Sequence, residues 1–168
     1  ATAGAPFGVQ PVIRTQDRLG NFTTQGMANH QNVTLTLSSG NGTLLGTTSL
    51  DIGTSGGNGT VSFTGLEMDA AGTNYQITAS SAGFSNAVST VFTVSPAAFT
   101  GLQLLMPGEV AAPGTPGGKT GTASAQVAGT AFNVTVNAVD AYWNVIKTAT
   151  DTVGLISSDS KSGMPANA

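Results

Sequence analysis

The chain has 168 residues, enough for one or two domains with a real core. Only 8% of the residues are charged and 39% are hydrophobic, which excludes a disordered polyampholyte, because such chains lack the apolar surface that offsets ordering entropy. Net charge is −3 and the five basic residues, Arg14, Arg18, Lys119, Lys147 and Lys161, are scattered, so no phosphate-neutralising patch forms and nucleic acid is not an expected partner.

There is no cysteine, which removes disulfides, thiolate catalysis and thiolate metal sites together. No run of about 18 apolar residues offers a helical membrane span, so no membrane insertion is expected of this segment. Ala1 opens no signal peptide, and if the protein is exported its address is expected outside this chain.

In chain order, apolar residues alternate instead of recurring at three and four, so strands are expected throughout. Phe7 to Gln16 reads as a strand with Pro11 at an edge or bulge, followed by a loop carrying Asp17 and Asn21. NVTLTLSS, residues 32–39, places Val33, Leu35 and Leu37 on one face. The turn signal Gly40-Asn41-Gly42 leads to an expected strand from Thr43 to Asp51. GTSGGNG, residues 53–59, reads as a connecting loop, since a phosphate loop needs a Lys-Ser/Thr ending and a following helix.

TVSFT then alternates through Val61 and Phe63. LEMDAAGTNYQITA sets Asp69, Gly72 and Tyr75 ahead of another strand, a spacing that resembles a tyrosine corner, in which the Tyr75 hydroxyl bonds back to upstream backbone. Val88 to Val94 is expected as one strand. Pro96-Ala97-Ala98 breaks the pattern, and FTGLQLLM, Phe99 to Met106, begins a new strand. The proline- and glycine-rich residues 107–126 are expected to cross irregularly between two strands, the alternative being a linker. AGTAFNVTVNAVD follows, with Phe132, Val134, Val136 and Ala138 on one face.

One piece of this pattern occurs twice. TQDRLGNFT at 15–23 returns as AVDAYWNVI at 138–146, with the aspartates 140 − 17 = 123 apart and the asparagines 144 − 21 = 123 apart. Ala128-Gly129 and Phe132 likewise match Ala3-Gly4 and Phe7. The recurrence predicts two copies of one domain, residues 1–95 and 96–168. A strand precedes the Ala-Gly landmark in the second copy but not in the first, and the second copy has no counterpart of Gly53 to Val94. The expected fold is all-β: tandem antiparallel β-sandwiches, the first nearly complete but lacking its opening strand, the second truncated to its N-terminal part. Such a chain is a window on a longer array, or a subunit completed by a neighbour's strands.

These landmarks resemble the tandem immunoglobulin-like repeats of large bacterial surface and adhesin-like proteins, the Big and invasin/intimin type. The matching residues are Ala-Gly-x-x-Phe opening a strand, the Asp-x-x-(Gly/Trp)-Asn loop, the Ser-Ser strand end, Phe63-Thr64-Gly65-Leu66, and Gly72-Thr73-x-Tyr75-x-Ile77-Thr78-Ala79. Trp143 stands where the first copy has Gly20, which predicts a second loop of different shape. The resemblance implies immunoglobulin-like sandwiches in a non-enzymatic structural repeat, extracellular at the cell surface, that spaces, extends or assembles a filament-forming protein. Its implied partners are neighbouring repeats or identical subunits, strand donation included. The alternative is a glycan- or protein-binding adhesin module.

Chemistry-bearing residues are few. Asp17 with Asn21, and Asp140 with Asn144, could offer oxygens to Ca²⁺, but one carboxylate per loop is few for such a site, and Asp and Asn equally fix turns by accepting backbone amides. Turn-making is the expected role, with no metal and no cofactor. His30 is the only histidine and no G-x-S-x-G accompanies it, so no triad is expected. Glu67 and Asp69 lie two apart near a turn, where solvation is expected instead of paired acid–base work. Tyr142-Trp143 is the most aromatic point of the chain, suited to stacking on a sugar ring or to plugging an interdomain contact. The N-x-T sequons at Asn21, Asn32, Asn41, Asn58 and Asn133 are expected by chance in Thr-rich strands. No pattern selects a Lys–Asn isopeptide bond.

Overall fold

A computed structural model describes residues 1–164 of the chain. Those residues are all-β, with no helix. The first seven strands are β1 (Val12–Arg14), β2 (Asn32–Ser39), β3 (Ser49–Asp51), β4 (Thr60–Ser62), β5 (Gly72–Ser80), β6 (Ala87–Val88) and β7 (Phe92–Val94). A five-stranded antiparallel sheet is organised on β5: β2 and then β3 lie along one side, while β6 and β7 share the other. β1 and β4 form a separate antiparallel pair.

Period-two alternation decides what these sheets bury. β2 turns Val33 and Leu35 inward and β5 turns Tyr75, Ile77 and Ala79 inward, where they form one apolar cluster with Ile13, Val61, Phe63, Leu66 and Met68. Each fully buried side chain of this size contributes roughly 1.5–3 kcal/mol relative to an exposed one. Its aromatic members extend it outward, with Phe92 stacked on Tyr75 at 5.7 Å and edge-on to Phe7 at 5.5 Å.

Several strands are shorter than alternation predicts, each for a local reason. Only Ser49–Asp51 of the expected 43–51 strand joins the sheet, because Leu45 is drawn away to exchange two backbone bonds with Glu67. The expected strand 88–94 is split into β6 and β7, because the Ser89 hydroxyl accepts the Ile77 amide at 3.0 Å and interrupts the ladder. Of the expected strand 7–16 only β1 is regular, and Phe7 instead donates its amide to the Leu66 carbonyl at 2.9 Å.

The remaining strands are β8 (Gly101–Leu105), β9 (Glu109–Ala111), β10 (Lys119–Gly121) and β11 (Thr135–Val139). Residues 107–126 were expected to cross irregularly, but they fold back as the hairpin β9–β10, because Pro113-Gly114 and Pro116-Gly117-Gly118 supply the reversal and Lys119 reaches Glu109 at 2.8 Å. β8 pairs antiparallel with β11. One face of this ribbon buries Gln103, Leu105 and Val139, with Asn137 donating to Gln103 at 3.0 Å. The other face presents Leu102 and Leu104, 53% and 45% exposed, opposite Ala138 and Val136. Phe132, matched in sequence to Phe7, lies outside β11 and is largely exposed, whereas Phe7 packs on the core.

Candidate functional site

The repeated Asp/Asn loop is one structure built twice. In the first, the Asp17 amide donates to the Asn21 carbonyl, the Gly20 amide to the Asp17 carbonyl, and Oδ1 of Asp17 accepts the amides of Leu19 and Asn21. The second repeats each bond 123 positions on: Asp140 to Asn144, Trp143 to Asp140, and Oδ1 of Asp140 accepting Tyr142 and Asn144. In both, the asparagine side chain donates to Oδ2 of its aspartate, at 3.1 Å and 2.9 Å. The isolated bridges Gln16↔Phe22 and Val139↔Val145 close the two loops identically.

The loop's fourth residue needs a left-handed backbone, which explains Gly20 at φ 87°. Trp143 adopts the same conformation at φ 66°, so the different shape expected from the Gly-to-Trp exchange does not occur. Strain in a bulky residue there is tolerated because the indole lies flat on Gly118, where any Cβ would overlap the ring.

What distinguishes the two loops is their surroundings. Asp17 and Asn21 are exposed, whereas Asp140 and Asn144 are each only 2% exposed, packed between the C-terminal ribbon and the end of the N-terminal sheets. The Asn144 amide group bridges backbone there: Nδ2 donates to the Asp69 carbonyl and Oδ1 accepts the Ala71 amide, both at 2.7 Å. Oδ2 of Asp140 accepts the Ala97 amide at 2.8 Å, tying down the segment that connects β7 to β8. The Tyr142 carbonyl accepts the Gly114 amide, and its ring covers Gly4, leaving no room for a Cβ. Tyr142 therefore serves the joint between residues 1–95 and the ribbon, while Trp143 packs on Gly118 in the turn between β9 and β10.

Tyr75 lies directly behind this joint. Its buried hydroxyl donates to the Ala70 carbonyl at 2.9 Å, so Ala70 is held by Tyr75 while its neighbours Asp69 and Ala71 hold Asn144. Burial pushes the Tyr75 phenol up from its ordinary range. Tyr75→Phe is expected to cost about 0.5–1.5 kcal/mol, the net value of one such bond, read as a lower urea midpoint. An unchanged midpoint would show that the corner does not depend on this hydroxyl.

Electrostatics follow the same geometry. Burial pushes the Asp140 carboxyl up, but donors from the Asn144 side chain and from the amides of Ala97, Asn144 and Tyr142 outweigh it and hold the group below the ordinary carboxylate range. Asp17 is lowered first by the Asn21 side chain and then by the amides of Asn21 and Leu19. The four N–H groups converging on Asp140 occupy both its oxygens, which is turn chemistry and leaves no lone pair aimed at a cation. No group of three or more His, Cys, Asp and Glu gathers among the described residues.

His30 sits in an exposed loop, its Nδ1 at 2.7 Å from Asp51. Asp51 is held down at about 2 by the Gln31 amide first, then by His30 and the Gly53 amide. This aspartate organises the loop ahead of β2. Asp69 takes part in the joint through its carbonyl, while Glu67 bonds Leu45 through backbone. Beside the joint an open hollow of about 200 Å³ is lined by Asp69, Gly114, Pro116, Tyr142 and Trp143. Alternation and motif reading do not find the socket side of the joint, because Gly4, Asp69 and Ala71 contribute backbone or bare surface.

No protein-family model matches the chain, and no curated protein or solved structure matches it significantly.

Proposed function

We propose that this chain is a non-enzymatic structural repeat of an extracellular bacterial surface protein, built from immunoglobulin-like β-sandwich units that space or assemble the parent molecule. The observation that carries the reading is the Asn144 side chain spanning the Asp69 carbonyl and the Ala71 amide. A loop that recurs at 123 residues is free in its first occurrence and seated on the preceding unit in its second. A spacer needs such a joint: hydrogen-bonded, dry and built from backbone on one side, so that consecutive units keep a fixed angle. In an array, the exposed Asp17–Asn21 loop would seat on the corner of a unit before it as Asp140–Asn144 seats on residues 69–71.

Residual dipolar couplings test this reading. One alignment tensor is expected to fit the amides of residues 1–95 and those of β8 and β11 together. Two independent tensors would mean a flexible link and would remove the spacer. The adhesin alternative rests on the hollow beside Tyr142 and Trp143. Binding to a glycan array that Tyr142→Ala abolishes would give it precedence.

A further inference from the structure

The two edges of β1 are used differently. Its inner edge is bonded to β4, in the register Val12↔Ser62, Ile13↔Val61 and Arg14↔Thr60, continued by the Phe63 amide on the Pro11 carbonyl and the Thr15 amide on the Gly59 carbonyl. Backbone groups of an antiparallel strand alternate between edges, so residues 11, 13 and 15 face β4 while Val12 and Arg14 face away. No strand among the described residues pairs with that outer edge.

β11 supplies the missing comparison, since it is β1 displaced by 123 positions. Its Ala138 carbonyl accepts the Ile146 amide just as the Thr15 carbonyl accepts that of Thr23, so Asn137 and Val139 present their backbone to the opposite edge. That edge carries β8, in the register Asn137↔Gln103 and Val139↔Gly101. The edge that is filled on β11 is the one left open on β1.

Beside the open edge lies an apolar cleft of about 580 Å³, floored by Leu35, Ile77 and Ala79 and walled by Val12, Val88 and Phe92. Ile13 points to this side and corresponds to Val136, which lies opposite Leu104 of β8. A strand of the β8 type added to β1 would therefore direct Leu104 into the cleft opposite Ile13, with Leu102 next along the same face opposite Thr15. Val9, Val12 and Val88 at its rim are 90%, 57% and 58% exposed.

We propose that the outer edge of β1 and this cleft form an acceptor for one extended strand of the β8 type, presented by another unit of the same repeat and running antiparallel to β1. Main-chain bonds to Val12 and Arg14 supply affinity, and the two leucines supply register. The inference rests on the repeat reading proposed above, but its test is separate from the alignment measurement.

The probe is a fluorescent, lysine-flanked peptide of the β8 sequence FTGLQLLM, titrated into the full chain. Saturable one-to-one binding is expected, weakened at least tenfold when both leucines corresponding to Leu102 and Leu104 are replaced by aspartate in the peptide. Val12→Pro should weaken it at least tenfold, because it removes an amide on the outer edge and leaves the Ile13–Val61 pair intact. Val88→Glu, at an exposed position of the cleft wall, should do the same without disturbing any ladder bond of β1. Binding that is equal for a scrambled peptide, or untouched by Val12→Pro and Val88→Glu, overturns the acceptor. The latter result would place the peptide on β11 in exchange for β8. A single alignment tensor together with no peptide binding would overturn the acceptor alone and leave the joint standing.

Discussion

Asp140→Ala is expected to destabilise the protein by about 3–5 kcal/mol, because it strips acceptors from three backbone amides and from the Asn144 side chain in a dry site. Asp17→Ala removes the same loop bonds in the open, where water replaces them, and should move the urea midpoint only slightly. The two substitutions form a matched pair: same residue, same turn, different burial. The pH profile sharpens the comparison. The folded-state carboxyl of Asp140 is held below its ordinary value, so its contribution is complete above about pH 4 and is lost as pH falls through the lowered value. Wild type should therefore weaken on acidification more than Asp140→Ala does. Equal losses at positions 17 and 140 would show that the joint adds nothing to the turn.

The all-β class was legible because alternation is a local property. NVTLTLSS writes its inward face directly and β2 carries it as read, whereas β5 begins at Gly72 and takes in Gly72 and Tyr75, which the sequence places ahead of the strand. Strand ends were less legible, since a single hydroxyl at Ser89 or a pair of bonds from Leu45 to Glu67 decides them, and neither has a pattern. The hairpin β9–β10 was hidden by its composition: prolines and glycines that look like a linker are also what a tight reversal needs.

The loops divide in the same way. Asp-x-x-x-Asn announces a turn wherever it occurs, because the carboxylate and the amide group satisfy each other and the backbone between them. Nothing in either copy announces burial. That depends on whether another surface with an exposed carbonyl and amide at the right separation lies above it, and such a surface consists of main chain from Asp69 to Ala71. Trp143 was the one available hint: a large aromatic in a position that prefers glycine is retained at a cost in strain, and Gly118 provides the flat face that offsets it.

Asn144→Asp is expected to be the second large effect and to have the opposite pH signature. The substitution is nearly isosteric, but it turns the donor aimed at the Asp69 carbonyl and at Oδ2 of Asp140 into an acceptor, 2.7 Å from one and 2.9 Å from the other. Two carboxyl groups at that distance in a buried site cannot both ionise, so the introduced group is held protonated with its folded-state value raised. A raised value gives stability that is fully present below about pH 4 and is lost as pH rises toward it. The variant should lie nearer wild type in acid, where its single O–H still serves one of the two acceptors, and be about 3–5 kcal/mol less stable at neutral pH. Because the lost bonds join the ribbon to the corner, hydrogen exchange at the Ala71 and Ala97 amides should accelerate at neutral pH before exchange in β2 and β5 changes. If all four regions accelerate together, the joint opens only when the whole molecule unfolds. The ribbon would then be an integral part of the first fold instead of a second unit seated on it.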